Sequence, residues 1–240
     1  MARAFADLHT HSSASFDSLA SASALVRTAA RRGLTHLAIT DHDRIDGAIK
    51  GRRLAETLAP ELTVIVGQEL RTLGGDMIAL FLDRPIPPLL SPANAIAAVR
   101  VQGGLVGIPH PFDRFRGSLL NDGAMEDLLG HVDWVETHNA RAFGGRANLR
   151  AADLAAGRGL PGIAVSDSHS AFEVGVAYTI LDGDLSTPDG FLAALPTAEI
   201  VPGHTSLYLR VVTPIAKVVQ RARGNGRVQA YGGGAGSVAP

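Results

Sequence analysis

The chain predicts an α/β barrel, mostly parallel, with its chemistry gathered at the C-terminal ends of the strands. Three observations carry that expectation. Short apolar runs alternate with longer helical patterns along 240 residues, the rhythm of strand–helix units in a parallel sheet. About seven such units in a chain of this length fit a closed barrel better than an open, doubly wound sheet. Several of the runs also end in His, Asp or Glu, where a core strand would place Val or Ile.

The elements follow in order. A strand over 5–10 leads to a helix over 18–32, opened by Ser18 as cap and closed by Gly33. A strand at 36–41 ("HLAITD") precedes a helix at 45–58, with Asp43 and Asp46 as its capping residues. Strands at 63–69 and 77–82 come next, then a helix at 92–102 closed by Gly103-Gly104. A strand at 105–110, a helix at 122–130 and a strand at 132–138 lead to a helix at 146–158 that Gly159 ends. The strand at 162–167 is followed by two further strand candidates, 176–181 and 198–202, around a helix at 187–195 opened by Thr187-Pro188. A last helix spans 213–223. Residues 1–230 read as one domain, and "YGGGAGSVAP" (231–240) as a flexible tail.

Composition narrows the function. With 46% hydrophobic and 19% charged residues the chain can bury a substantial core, and a net charge of −1 offers no field for nucleic acid or an anionic membrane. No basic-then-apolar leader precedes the first strand and no run of about 18 apolar residues occurs, so a cytoplasmic protein without a membrane partner is expected. There is no cysteine. Any transition-metal site must therefore be built from His, Asp and Glu.

Those residues recur at the strand ends. "DLHTHSSASFDS" supplies His9, His11 and Asp17; "AITDH" ends in Asp41-His42 and "VIVGQE" in Gln68-Glu69. "VGIPH" ends in His110, "WVETH" holds Glu136 and His138, and "GIAVSDSH" closes on Asp167 and His169. Residues i and i+2 of a strand share a face, so His9/His11, Glu136/His138 and Asp167/His169 can each aim two side chains one way. One such histidine would be an ordinary hydrogen-bonded residue. Six of the nine histidines at equivalent positions, with carboxylates among them, need a cation to hold them together. Imidazole and carboxylate without sulfur suit Zn, Mn, Fe or Co, and so many donors exceed one ion and imply at least two, with Glu69 the natural bridge.

The ordered motifs "DLHTHSSASFDS", "TDHD", "GQEL", "HPF", "VETHN" and "SDSH", spanning residues 7 to 169, resemble the PHP (polymerase and histidinol phosphatase) family, and "TPIAKVVQRARG" near the C-terminus is similar too. The resemblance implies a distorted (β/α)7, TIM-like barrel and a cluster of three divalent ions (Mn, Fe or Zn) that hydrolyses phosphoesters. By that likeness His9 and His11 would share an ion with Asp167 and the bridging Glu69. Glu69, His110 and His138 would hold a second ion, and Asp17, His42 and His169 a third. Asp41, Glu136 and Asn139 would orient ligand imidazoles.

The chemistry expected of such a cluster is in-line attack by a metal-bridging hydroxide, with His169 or Asp167 relaying a proton to the leaving oxygen. Arg141, Arg114 and Arg116 lie just past site strands and His204 falls in "PGHTS"; these are the candidate phosphate contacts. Few aromatics (5%) and no basic stripe favour a small phosphorylated metabolite or a nucleotide, short oligonucleotides included, over long nucleic acid. Two alternatives stand beside this. An amidohydrolase-like C–N hydrolase also begins with H-x-H but commonly uses a strand-end lysine, and the only lysines here are Lys50 and Lys217. A non-catalytic metal-binding regulatory domain is the other.

Overall fold

The structure, a computed structural model, describes residues 2–113, 126–143 and 145–229. The tail at 231–240, Arg114 and Arg116 lie outside the described residues. Strands β1 (Arg3–Asp7), β2 (His36–Ile39), β3 (Thr63–Arg71), β4 (Asp76–Leu80), β5 (Leu105–Ile108), β6 (Trp134–Asn139), β7 (Gly162–Val165), β8 (Tyr178–Asp182) and β9 (Glu199–Val201) form one sheet in the order β7-β6-β5-β4-β3-β2-β1-β8-β9. Helices α1 (Ala22–Arg31), α2 (Asp46–Leu58), α3 (Pro92–Arg100), α4 (Glu126–Leu129), α5 (Arg146–Arg158) and α6 (Pro188–Ala194) fall between strands, and α7 (Leu207–Arg210) and α8 (Val212–Ala222) follow the last one. No helix among the described residues is long and apolar enough to cross a membrane.

The sheet curls into a distorted, nearly closed barrel. β1–β2, β2–β3, β5–β6 and β6–β7 pair in parallel. β4 runs antiparallel to both its neighbours. The reason is the link between β3 and β4: the segment Thr72-Leu73-Gly74-Gly75 is far too short for a crossover helix, so the chain must turn back as a hairpin. Thr72 N donates to Gly75 O (2.8 Å), and Gly75 takes a φ of 136°, which glycine adopts without strain.

Side chains close the seam between β7 and the β1–β8 pair. Thr179 Oγ1 accepts from Ala164 N (2.8 Å) and donates to Ala164 O (2.9 Å). The Asp7 carboxylate accepts from Ser166 N (3.0 Å), Ser166 Oγ (2.5 Å) and Gly175 N (2.8 Å). Alternate residues of the strands divide between two cores. Leu8, Ile65, Ile78, Leu80, Trp134, Ile163 and Val165 belong to the inner cluster, whereas Leu37, Ile39, Val64 and Val66 pack with the helices. Gly107 makes room for the Trp134 indole, since a Cβ there would lie 2.0 Å from Trp134 Cε2.

The described helices fall where expected apart from α7, which the sequence did not mark. Of the expected helix at 122–130, residues 122–125 lie outside the described ones. Two starts differ. Ser21, not Ser18, caps α1 by accepting from Ala24 N, while Ser18 Oγ donates to the carbonyls of His11 and His169. Asp43 caps nothing; at φ 56° its carboxylate accepts from Arg71 N (2.9 Å). Thr187 caps α6 as read, and Gly33 and Gly159 take the left-handed φ (74° and 63°) of helix stops.

Candidate metal centre

Eight of the nine residues expected as ligands meet at the barrel mouth. His9 Nε2 and His11 Nε2 stand 3.0 Å apart. Glu69 Oε2 is 3.2 Å from each of them, and Asp167 Oδ1 is 3.8 and 3.6 Å away. Four donors each about 2.1 Å from one tetrahedral ion would be about 3.4 Å apart, so this spacing matches a shared cation. Two imidazole nitrogens at 3.0 Å can otherwise coexist only with a proton between them.

Glu69 links this group to two more. Its Oε1 lies 3.1 Å from His110 Nε2, and its Oε2 lies 3.4 Å from His42 Nδ1. Beyond it Asp17 Oδ2 is 3.2 Å from His42 Nε2 and 3.3 Å from His169 Nε2. His169 Nδ1 donates to the Asp167 carbonyl (3.0 Å), which aims its Nε2 lone pair at that second group. Inward parity along the strands explains part of this convergence: Glu69 follows Ile65 and Gly67, and Asp167 follows Ile163 and Val165. His110 and Asp167 both adopt positive φ (29° and 52°), where a non-glycine residue is strained.

His138 is the ninth, and the structure sets it apart. Opposite Ile163 and Ala164, β6 places Glu136 and His138, so Thr137 is an extra residue in a bulge. The bulge breaks the i, i+2 rule and turns His138 to the other face. Its Nε2 is 2.8 Å from the Gly203 carbonyl and its ring lies against His204, 5.5 Å between centroids. His204 is exposed on that face, away from the residues that line the pocket over the cluster.

Glu136 stays with the cluster. Its Oε1 is 2.7 Å from His9 Nδ1, and its Oε2 accepts from His110 N (2.9 Å) and Asn139 Nδ2 (3.0 Å). Asn139 Nδ2 also reaches Asp167 Oδ2 (3.0 Å). Asp41 does not orient an imidazole: it accepts from Ser12 N (2.6 Å) and Ser12 Oγ (2.7 Å), and so fixes the start of the loop that carries Asp17. Arg141 is buried in the pocket wall; it donates to Glu173 Oε1 (2.5 Å) and Thr213 Oγ1 (2.8 Å).

The electrostatics ask for cations. Burial pushes His9 down, but Glu136 and Glu69 outweigh it and hold the imidazole up at about 10. At His42 burial is likewise overcome by Glu69 and Asp17, which hold it up at about 9. Burial alone would raise the Asp17 and Glu69 carboxyls, yet the adjacent imidazoles keep both well below the usual range. His11 and His169 are driven down, burial first. His11 Nδ1, His42 Nδ1 and His110 Nδ1 are buried without a hydrogen-bond partner among the described residues. Ionised carboxylates that hold protons on His9 and His42 where a cation could replace them, neutral imidazoles at His11 and His169, and unsatisfied ring nitrogens together fit divalent ions.

A pocket of about 360 Å³ opens over the cluster. One wall is Asp17, His42, Glu69, His110 and His169; the facing wall is Arg210, Thr213 and Lys217, from α7 and α8. Phe16 lies between them, its ring 5.1 Å from that of His42 and 5.5 Å from Lys217 Nζ. Asp76 was missed in the sequence because it begins its strand. Only the antiparallel course of β4 brings that end to the rim, and the short link before it was the available signal. Burial and the nearby Glu69 push its carboxyl up to about 6.

The PHP domain profile matches residues 7–98 and the PHP-associated profile residues 145–199. An uncharacterized protein of Methanocaldococcus jannaschii, MJ1587, is 35% identical over 145 residues, which cover 56% of this chain and 81% of that one. A two-domain protein from Bacteroides vulgatus containing a predicted PHP-like metal-dependent phosphoesterase superposes with a TM-score of 0.71 at 20% identity, over 84% of this chain and 65% of that one. The lesion-specific endonuclease Q of Pyrococcus furiosus shares the fold at a TM-score of 0.62 and 16% identity, over 83% of this chain and 58% of that one. Neither Lys50, in α2, nor Lys217, in α8, offers the strand-end lysine of amidohydrolases. On its profile matches, its identity to MJ1587 and its fold, the chain belongs to the PHP family of metal-dependent phosphoesterases.

Proposed function

We propose that this protein hydrolyses a small phosphorylated metabolite or a nucleotide at a centre of three divalent ions. The observation that carries the reading is the central carboxylate, Glu69, whose two oxygens face three groups of imidazoles. His9, His11, Asp167 and Glu69 would hold one ion. Asp17, His42 and His169 would hold another, and Glu69 with His110 the third. Such ions supply a nucleophile at neutral pH and neutralise phosphoryl oxygens as charge moves to the leaving group.

The chain's own residues do the rest. Glu136 accepts from His9 Nδ1 and so fixes its tautomer, leaving Nε2 to face the cluster. Lys217 has no carboxylate partner among the described residues and faces the cluster across Phe16, which fits a contact to a substrate anion. Phe16 and Phe143 line the same pocket and give a planar substrate ring apolar surface. The pocket volume lies in the small-molecule range. Both His169 nitrogens are engaged, Nε2 with Asp17 and Nδ1 with the Asp167 carbonyl, and Asp167 is wholly buried; this argues against either as the relay to the leaving oxygen.

The test is phosphate release by protein reloaded with Mn, Fe or Zn, with His9→Ala/His11→Ala as control. Nucleoside monophosphates, sugar phosphates, p-nitrophenyl phosphate and a short oligonucleotide form the panel. Metal-dependent release from a small monoester that is lost in the control supports the reading. Cleavage of the oligonucleotide alone would replace it with a nuclease, and no release from protein holding its ions would remove the monoesterase.

A further inference from the structure

The loop Ser12–Ser18 carries both Asp17 and Phe16, and it has neither helix nor strand to hold it. Its backbone carbonyls therefore need donors from elsewhere. The C-terminal segment, outside both matched profiles, provides them. Gln220 of α8, 2% exposed, sets its Nε2 at 2.8, 3.1 and 2.7 Å from the carbonyls of Ser13, Ser15 and Ser18. Asn225 adds its Nδ2 at 3.3 Å from Ser13 O and 3.1 Å from Ala14 O. Arg44 Nη1 donates to Asn225 Oδ1 (3.0 Å). Arginine has only donors and the loop offers only acceptors, so both amides are fixed with nitrogen toward the loop.

The same helix serves the pocket. Thr213, Ala216, Lys217 and Gln220 recur at helical spacing on one face: Thr213 and Lys217 line the pocket, while Ala216 and Gln220 are buried. Lys217 Nζ lies over Phe16 one turn before Gln220 grips the loop on which Phe16 sits.

We propose that Gln220, assisted by Asn225, is a positioning residue for Asp17: the C-terminal helix latches the first-motif loop and thereby sets the affinity of the Asp17–His42–His169 group for its divalent ion. This rests on the metal-centre reading above. Within the loop, Asp17 Oδ1 accepts from Ser15 Oγ (2.6 Å), a contact that moves with the loop. Asp41 holds the loop's start and Ser18 Oγ its end, and the latch ties the carbonyls between them to the C-terminal helix.

The deciding experiment is a metal titration of the full chain, wild type beside Gln220→Glu, Asp17→Asn and the double variant, read as ions retained per chain against a chelator. Glutamate keeps the size and removes the N–H donors. Gln220→Glu should weaken one ion about 10–100-fold and leave the others, and the double variant should match Asp17→Asn, because the two act on one ligand. Hydrogen exchange of residues 12–18 should speed up in Gln220→Glu, whereas exchange of the β-strands should not. Should Gln220→Glu fail to fold, Asn225→Ala tests the same carbonyls from a less buried amide, and the same single-ion weakening is expected. A wild-type protein that binds its ions while the variants bind them equally, or weakens additively with Asp17→Asn, overturns the latch. A wild type that binds no ion overturns the metal centre itself, and the latch with it.

Discussion

Glu136 and His138 stand two residues apart on one strand, and their substitution should have opposite consequences. Glu136 accepts from three groups, His9 Nδ1, His110 N and Asn139 Nδ2. In Glu136→Gln one of the two terminal atoms becomes an NH₂ donor, so in either amide orientation at least one of those donors meets a donor. Losing a hydrogen bond to a charged acceptor costs roughly 1.5–3 kcal/mol. Affinity for the ion at His9 and His11 should then fall about tenfold or more, the loss typical when the group behind a ligand histidine is removed. His138 is half-buried and bonds Gly203, so His138→Ala forfeits about 1 kcal/mol of stability and a few degrees of Tm. It should keep every ion. Metal content by mass spectrometry after graded chelation, beside a thermal melt, separates the two. If His138→Ala loses an ion and Glu136→Gln keeps all of them, the bulge does not turn His138 away from the centre and Glu136 does not brace it.

Three further expectations can be measured together. His9 and His42 are held up at about 10 and about 9, above an unfolded value of about 6.5. Their contribution to the stability of the metal-free protein is complete below about 6.5 and is lost as pH rises through 9 to 10. Metal uptake at pH 7 should accordingly release about two protons; calorimetry in two buffers of different ionisation enthalpy that finds none would remove the charge balance argued here. Gly47→Ala would bring a Cβ to 2.0 Å from Asp41 Oδ2 and 2.2 Å from Ser12 Oγ, displacing the anchor of the first-motif loop. It should lower Tm by several degrees and metal content with it, whereas Gly157→Ala, inside α5 with nothing within 4 Å, should leave metal content unchanged and raise Tm slightly. Lys217→Met should raise KM about tenfold with little change in kcat, the mark of a contact made equally in ground and transition states; unchanged KM would take Lys217 out of the substrate site.

The order of strands and helices, and eight donors of the cluster, were legible because both depend on short-range periodicity. Apolar runs mark strands, and a polar residue that ends such a run lands on one rim of a parallel barrel. The rest depends on events that periodicity does not record. One inserted residue, Thr137, sends His138 to the opposite face, though the pair at 136 and 138 looks like the pair at 9 and 11. The hairpin after β3 reverses β4 and lifts Asp76, at the start of a run, to the rim where run ends belong. Gln220 and Lys217 reach the first motif from some two hundred residues away, a pairing only the closed fold creates.

The strain at the site has the same origin as its chemistry. A strand that continued past Ile108 or Val165 in extended geometry would carry its next side chains alternately into the barrel and out to the helices. Ile108 packs with the helices, so His110 two residues on reaches the cluster because the chain leaves the strand there through positive φ. Asp167 already has the inward parity of Ile163 and Val165, and the chain turns away at it through positive φ as well, a conformation that costs a non-glycine residue of order 1–3 kcal/mol. Glycine would relieve the strain and delete the donor. The surrounding bonds hold both in place: Glu136 accepts from His110 N, and Asn139 and the Asp167 carbonyl's bond to His169 Nδ1 tie down the other turn. Glu136 and Asn139 thus brace both turns and His9 at once, which is why a single buried carboxylate on β6 matters more to the centre than the histidine two residues beyond it.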